Sequence, residues 1–359
     1  MKIKTEVLKE LLSKCVQCVG DNKLIAITQM IGIKLIGNEL KLISTDATNY
    51  MVVTKEVEDD GSAFNVTVYA EQFSKLISRT TSEYTYLRIV DSNLEVKGNG
   101  TYTLELPLDE EGEPIDYPNP LDNIKKIKWN KNKISVKDIS VLHDTLKPAL
   151  SASDDFPVIT NYYVGETVIA TNRNVMSSYA IRIADKDVLM SLKLVDILSI
   201  MKNDISYYID DEKMIFMADD ITVYSKWGND VDEYPIDKLS GFMEVGFKSS
   251  CKVNKDNFIA LLERISLFVG KYDNEVVRLY FEKDGIRVSN KDRMSNEVLD
   301  YVDSKGYKSY DCAINVNMLL TQLKAYSGDI LEIQYNNDIA LKLANDNIVQ
   351  IIALTIENK

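Results

Sequence analysis

Leu8 to Gly20 reads LKELLSKCVQCVG, and Phe258 to Gly270 reads FIALLERISLFVG. Laid side by side they match position for position, with apolar residues at helical spacing and a glycine at the end of each. A looser version, VKDISVLHDTLKPAL, occupies residues 136–150. One helix thus recurs three times, and the rest of the chain follows the same rhythm. Strand-like stretches come next: LKLISTDATNYMVVTKEV, YYVGETVIATNRNVMSSYAIRI and VVRLYFEKDGIRVSNKDRMSNEVLDYV. A second helical period follows in AEQFSKLISRT (70–80), MSLKLVDILSIMK (190–202) and VNMLLTQLKAY (316–326). Each copy closes on alternating hairpin patterns, whose turns carry Asp, Asn and Ser.

Two breaks separate the copies. LPLDEEGEPIDYPNPLD (106–122) holds four of the seven prolines, and WGNDVDEYPIDKLSG (227–241) adds glycine, proline and acid. Neither suits a helix or a central strand, so both read as linkers. The expected domains are 1–122, 123–242 and 243–359, each α+β with two helices packed on antiparallel sheet.

Length and charge bound the function. The chain has 359 residues, 42 Lys plus Arg against 55 Asp plus Glu, and a net charge of −13. That excludes a surface that is basic throughout, as a protein gripping nucleic acid everywhere would have. No apolar run nears the roughly 20 residues of a membrane span. The start, MKIKTE, has no apolar leader core, and four cysteines make no disulfide framework, so a cytoplasmic location is expected.

Chemical motifs are few. Cys15 and Cys18 form a CxxC without a second pair, and they align with Ile265 and Phe268, so both positions are expected in the core. Asp210-Asp211-Glu212 and Asp219-Asp220 fall in hairpin turns, where solvated acid is ordinary. A metal nuclease would need carboxylates converging from separate strands. His143 stands alone in a helical pattern, and no phosphate-loop, dinucleotide or nucleophile-elbow motif occurs. The expectation is no enzyme, no metal and no cofactor.

Charge is unevenly divided. The six helical windows carry 11 basic and 8 acidic residues, so the helices net +3 while the remainder nets −16. Lys14, Arg79, Lys147, Lys202, Arg264 and Lys324 lie near helix C-termini, where the helix dipole favours cations. A shared, mildly basic helix face would also follow a phosphate backbone without reading bases. No base-stacking platform is evident, which points to duplex DNA.

This triple pattern resembles one family, the bacterial sliding clamps (β subunits of DNA polymerase III). The resemblance runs over essentially the whole chain and is carried by LKLISTDATNYMVV (40–53), IATNRNVMSSYAIRI (169–183), VRLYFEKDGIRVS (277–289) and NVNMLLTQLKA (315–325). Family features fall at Thr45-Asp46 and at Ala170-Thr171-Asn172-Arg173-Asn174-Val175-Met176. The resemblance implies the DNA clamp fold. Two three-domain chains would close head to tail into a homodimeric ring, with helices lining the hole. The protein would be a processivity factor in DNA replication. It would encircle duplex DNA without regard to sequence and tether a DNA polymerase, after placement by a clamp loader. The implied DNA-facing residues are Lys23, Lys75, Arg79, Lys147, Lys193, Lys202, Arg264 and Lys324. The implied pocket for partner peptides comprises Ile159, Thr171, Arg173, Met176, Phe242, Leu354, Thr355 and Ile356.

Some residues depart from the family pattern. Arg173 stands where a small residue is usual, Phe242 where proline is common, and Leu354-Thr355-Ile356-Glu357 replaces a terminal motif with proline and arginine. These departures suit a divergent clamp, encoded by a phage or mobile element with its own polymerase. The other readings are a clamp-like scaffold that binds only proteins, and a metal-dependent nuclease at the acidic turns.

Overall fold

The structure is a computed structural model of the 359-residue chain. It describes all residues except Asp21, Asp59, 124–125, Asp154, 227–230, 244–245, 271–274, Arg293, Asp346 and 357–359, and it describes Asn123 without its side chain. Among the described residues there are seven α-helices: α1 Thr5–Cys15, α2 Ala70–Arg79, α3 Val136–Val141, α4 Leu192–Leu198, α5 Ile236–Met243, α6 Lys255–Ser266 and α7 Val316–Ala325. The chain folds into two compact units, Met1–Ile139 with Lys193–Gly228, and Ser140–Leu192 with Asn229–Lys359.

In the first unit, α1 buries Leu8, Leu11, Leu12 and Cys15, the i, i+3, i+4, i+7 face expected from its sequence. It packs beside α2, which contributes Phe73 and Ile77. Both rest on antiparallel sheet. One sheet has four strands, in the order Lys2–Lys4, Tyr84–Val90, Asn93–Lys97, Thr101–Glu105. The other has eight, running from Phe64–Tyr69 through Met30–Ile36, Glu39–Thr45 and Asn49–Glu56 to Ile221–Lys226, Lys213–Ala218, Ile205–Ile209 and Lys133–Ile134. First-copy and second-copy strands meet inside that sheet, where Val53 pairs Ile221 and Asn49 pairs Ser225.

The second unit repeats the scheme. α6 buries Phe258, Leu261, Leu262 and Ile265, and packs beside α7. Asn254 and Asn315 cap these helices, accepting from the N–H of Asn257 and Met318 at 2.9 Å each. Its nine-stranded sheet joins second and third copies where Val175–Tyr179 pairs Ile348–Ala353, with Val175 opposite Ile352. Its four-stranded sheet ends at Asn296–Asp300.

Four expectations need correction. The 137–150 stretch is not one α-helix: α3 passes into a wider π-helical turn at Leu142–Leu146 and a 3₁₀ turn at Lys147–Ala149. Pro148 explains this, because it lacks an N–H and its ring clashes with the preceding turn. Phe268 is not core. It is 63 % exposed, while its counterpart Cys18 is fully buried. Cys18 follows α1 in a 3₁₀ turn and its thiol donates to the Asn49 carbonyl, whereas at Phe268 it is the backbone carbonyl that is engaged, accepting from Asn290, and the ring lies exposed.

Nor are the two breaks free tethers. Tyr117 is buried against Met30, Ile43 and Val52, and its hydroxyl donates to the Met30 carbonyl at 3.2 Å. Tyr234 is buried with Tyr163 and Ile169, and its hydroxyl donates to the Ile169 carbonyl at 3.3 Å. Each break is therefore strapped onto a sheet around a buried tyrosine, with Ile115 and Leu121 packing beside Tyr117, and Val231, Ile236, Leu239 and Met243 beside Tyr234. The second break also contains α5, which starts directly after Pro235 and carries Asp237 in its first turn, both favourable at a helix start.

Candidate functional site

A tight turn organises the larger candidate site. Thr171 Oγ1 donates to the Val175 carbonyl at 2.8 Å, and the Arg173 N–H donates to Thr171 Oγ1 at 3.2 Å. Asn172 Oδ1 accepts from the N–H groups of Asn174 and Val175 at 3.1 and 2.9 Å. These bonds hold Arg173 at φ +78°, a left-handed region that residues other than glycine seldom adopt. The first copy closes the same turn. Thr45 Oγ1 donates to the Asn49 carbonyl at 2.7 Å, Asp46 Oδ1 accepts from Thr48 and Asn49, and Ala47 sits at φ +82°. The shared pattern is Thr-Asx-X-X-X, with the left-handed residue third.

Beside the second-copy turn lies an open groove of about 390 Å³. Thr171, Arg173, Asn174, Val175 and Met176 form one wall, Leu239 and Phe242 of α5 another, and Ile339, Ala340, Ile351 and Ala353 the floor. The lining is mostly apolar, as in sites that take apolar side chains. Of the eight pocket residues expected from the resemblance, Thr171, Arg173, Met176 and Phe242 line this groove. Ile159 packs behind it with Met176 and Ile351. Leu354, Thr355 and Ile356 are not among its lining residues. The first two are tied by backbone bonds to Ile339 and Ala313, and Ile356 is 90 % exposed; Glu357 lies outside the described residues. The floor strands and Leu239 were not foreseen. Leu239 sits in a break read as linker, although its spacing from Ile236 and Met243 carries the signal of a helix face.

Arg173 is exposed, with its guanidinium 4.6 Å from the centre of the half-exposed Phe156 ring. Among the described residues it has no ion pair.

The basic residues of the helices are in varied settings. Lys23 is exposed in the turn after α1, and Arg79 is exposed at the end of α2 with no ion pair among the described residues. Lys75 pairs with Glu71, one turn before it on α2. Lys193 is half-buried in α4; Lys202 is exposed, and its N–H donates to Asp219. Lys147 is half-buried in the 3₁₀ turn after α3. Arg264 pairs with Glu297, and Lys324 with Glu263 at 2.7 Å. The side chains of these last two pairs are between 36% and 56% exposed, so solvent screens each pair and it can yield to another anion.

The acidic turns are structural. Asp210 Oδ1 accepts from the N–H groups of Glu212 and Lys213 at 2.9 Å each. Burial opposes its ionisation, but the Glu212 N–H, the Lys213 ammonium and the Tyr208 hydroxyl hold its pKa down to about 2. Asp219 receives Lys202 and Asn203, and Asp220 pairs with Lys14 at 2.8 Å. Among the described residues no group of His, Cys, Asp or Glu could hold a metal ion. Cys15 and Cys18 are fully buried free thiols, and burial pushes Cys15 up to about 12.

No protein-family profile and no curated protein matches the chain by sequence. Solved structures do. The β chain of DNA polymerase III from Streptococcus pneumoniae superposes with a TM-score of 0.84 at 15% identity, over 99% of both chains. The DNA polymerase sliding clamp of Bacillus subtilis gives 0.83 at 17%, and the β subunit of DNA polymerase from Streptococcus pyogenes gives 0.81 at 19%, again over 99% of both chains. Helices resting on long antiparallel sheets, repeated along the chain, are therefore shared with these proteins from end to end: this chain has the fold of the bacterial sliding clamps.

Proposed function

We propose that this protein is a DNA sliding clamp, a non-enzymatic homodimeric ring that encircles duplex DNA and tethers a replicative polymerase. The observation that carries this reading is the agreement of fold with sliding clamps over 99% of the chain, on a sequence that itself repeats three times. The domains would be 1–122, 123–242 and 243–359, the location cytoplasmic, and a clamp loader would place the ring on DNA.

The sheet edges support ring closure. Strand Thr101–Glu105 ends one four-stranded sheet and strand Asn296–Asp300 ends the other, each unpartnered on its outer side among the described residues. Exposed Tyr102 lies on the first edge and exposed Val298 on the second. Unpaired edges with apolar side chains invite strand pairing, and a head-to-tail dimer would hide both. Lys23, Lys75, Arg79, Lys147, Lys193, Lys202, Arg264 and Lys324 would face the DNA. Their modest charge and weak ion pairs suit a ring that slides rather than grips. The groove at Thr171, Arg173, Met176 and Phe242, backed by Ile159 and flanked by Leu354, Thr355 and Ile356, would take short segments of partner proteins.

The test is topological. The protein, loaded onto nicked circular DNA by its cognate loader, should be retained through gel filtration and released when the circle is cut. Equal retention on circular and linear DNA would sink the proposal. A chain that stays monomeric and binds only proteins would point to the scaffold reading instead.

A further inference from the structure

The turn that carries Arg173 closes equally well without an arginine. In the first copy the same hydrogen bonds form around Ala47 at φ +82°. The fold at this position therefore asks only for a residue that tolerates a left-handed backbone, and alanine meets that requirement as well as arginine does. Arg173 adds a long charged side chain at a strained position on the wall of an apolar groove. Its guanidinium is steadied by the Phe156 ring, which leaves its N–H edge available, and no carboxylate among the described residues neutralises it. A fixed cation beside an apolar groove complements a ligand with an apolar anchor and a carboxylate nearby.

We propose that Arg173 makes this groove select partner segments in which an aspartate or glutamate flanks an apolar anchor, through a charge-assisted hydrogen bond from the guanidinium. The inference rests on the reading of the groove as a partner-peptide site.

The test uses the full chain and a phage-displayed random dodecapeptide library. Wild type should enrich sequences with Asp or Glu beside large apolar residues. Arg173→Ala, which keeps the turn as Ala47 does, should enrich the same apolar anchors without the acid. For the best wild-type peptide, changing its acidic residue to the amide should weaken binding about tenfold in wild type and leave Arg173→Ala unaffected. Loss of acid selection only in the variant supports the proposal. No acid selection in wild type, or acid selection that survives in Arg173→Ala, overturns it. Peptides whose binding ignores Leu239→Asp, in a variant whose melting curve stays cooperative, would instead show that the groove is not the peptide site.

Discussion

A methyl group on Gly32 would stand 2.6 Å from Tyr117 Cβ, closer than any real contact. Gly32→Ala should therefore displace the strap at Tyr117 and cost about 1–3 kcal/mol, read as a lower midpoint in urea. Asp210 sets a pH dependence. Its folded pKa of about 2 lies below the ordinary 3.8, so its stabilising contribution is complete above the ordinary value and fades as pH falls toward 2. Asp210→Asn should flatten the acid limb of stability against pH between about 4 and 2, measured by thermal melts across that range. All four cysteines are buried, so a thiol reagent should leave the native protein nearly untouched and titrate four groups in guanidinium. At this scale the sequence was informative where a residue has a counterpart. Cys15 and Ile265 are both buried at one helical position. It misled at Phe268, because the path of the chain after the helix depends on hydrogen bonds to strands distant in sequence.

Among elements, α1, α2, α6 and α7 were legible because each shows one apolar stripe at 3.6-residue spacing. α5 was hidden. Its eight residues bury no side chain completely, and it lies among the acid, proline and glycine that mark a linker. The two straps had a signal that is visible in retrospect: Tyr117-Pro118 and Tyr234-Pro235 repeat a dipeptide at matching places, and each precedes a helical turn. Edge strands carry the element-scale prediction. If Thr101–Glu105 and Asn296–Asp300 close the ring between chains, Val298→Lys should shift the protein from dimer to monomer in sedimentation without lowering its melting temperature by more than a few degrees. A variant that stays dimeric would place the contact elsewhere.

For the whole molecule, the total of −13 charges first reads as hostile to DNA, yet its distribution matters more than its sum. Helix ends carry the cations, and the structure adds what composition could not show: Lys75, Arg264 and Lys324 are already engaged by nearby glutamates. Replacing Glu263 and Glu297 with glutamine should free two cations, tighten binding to DNA and steepen its salt dependence, measured by anisotropy on a labelled duplex. Unchanged binding would remove Arg264 and Lys324 from the DNA face. The fold could be read from the repeat, since three weak copies constrain one another. The groove could be read only in part, because its floor comes from third-copy strands that sequence order separates from the second-copy turn.

The strap at Tyr234 places α5, and with it Leu239 and Phe242, in the break that follows the second copy. One wall of the groove is thus a short helix seated on the sheet by Tyr234 together with Ile236, Leu239 and Met243, while the opposite wall and floor belong to the sheet. Substitutions, insertions or deletions in residues 236–243 can reshape what the groove accepts without disturbing any strand pairing. If the groove takes partner segments as proposed, partner choice is in this sense separable from the scaffold. A lineage could exchange its binding partners while the repeated architecture stays under unchanged constraint.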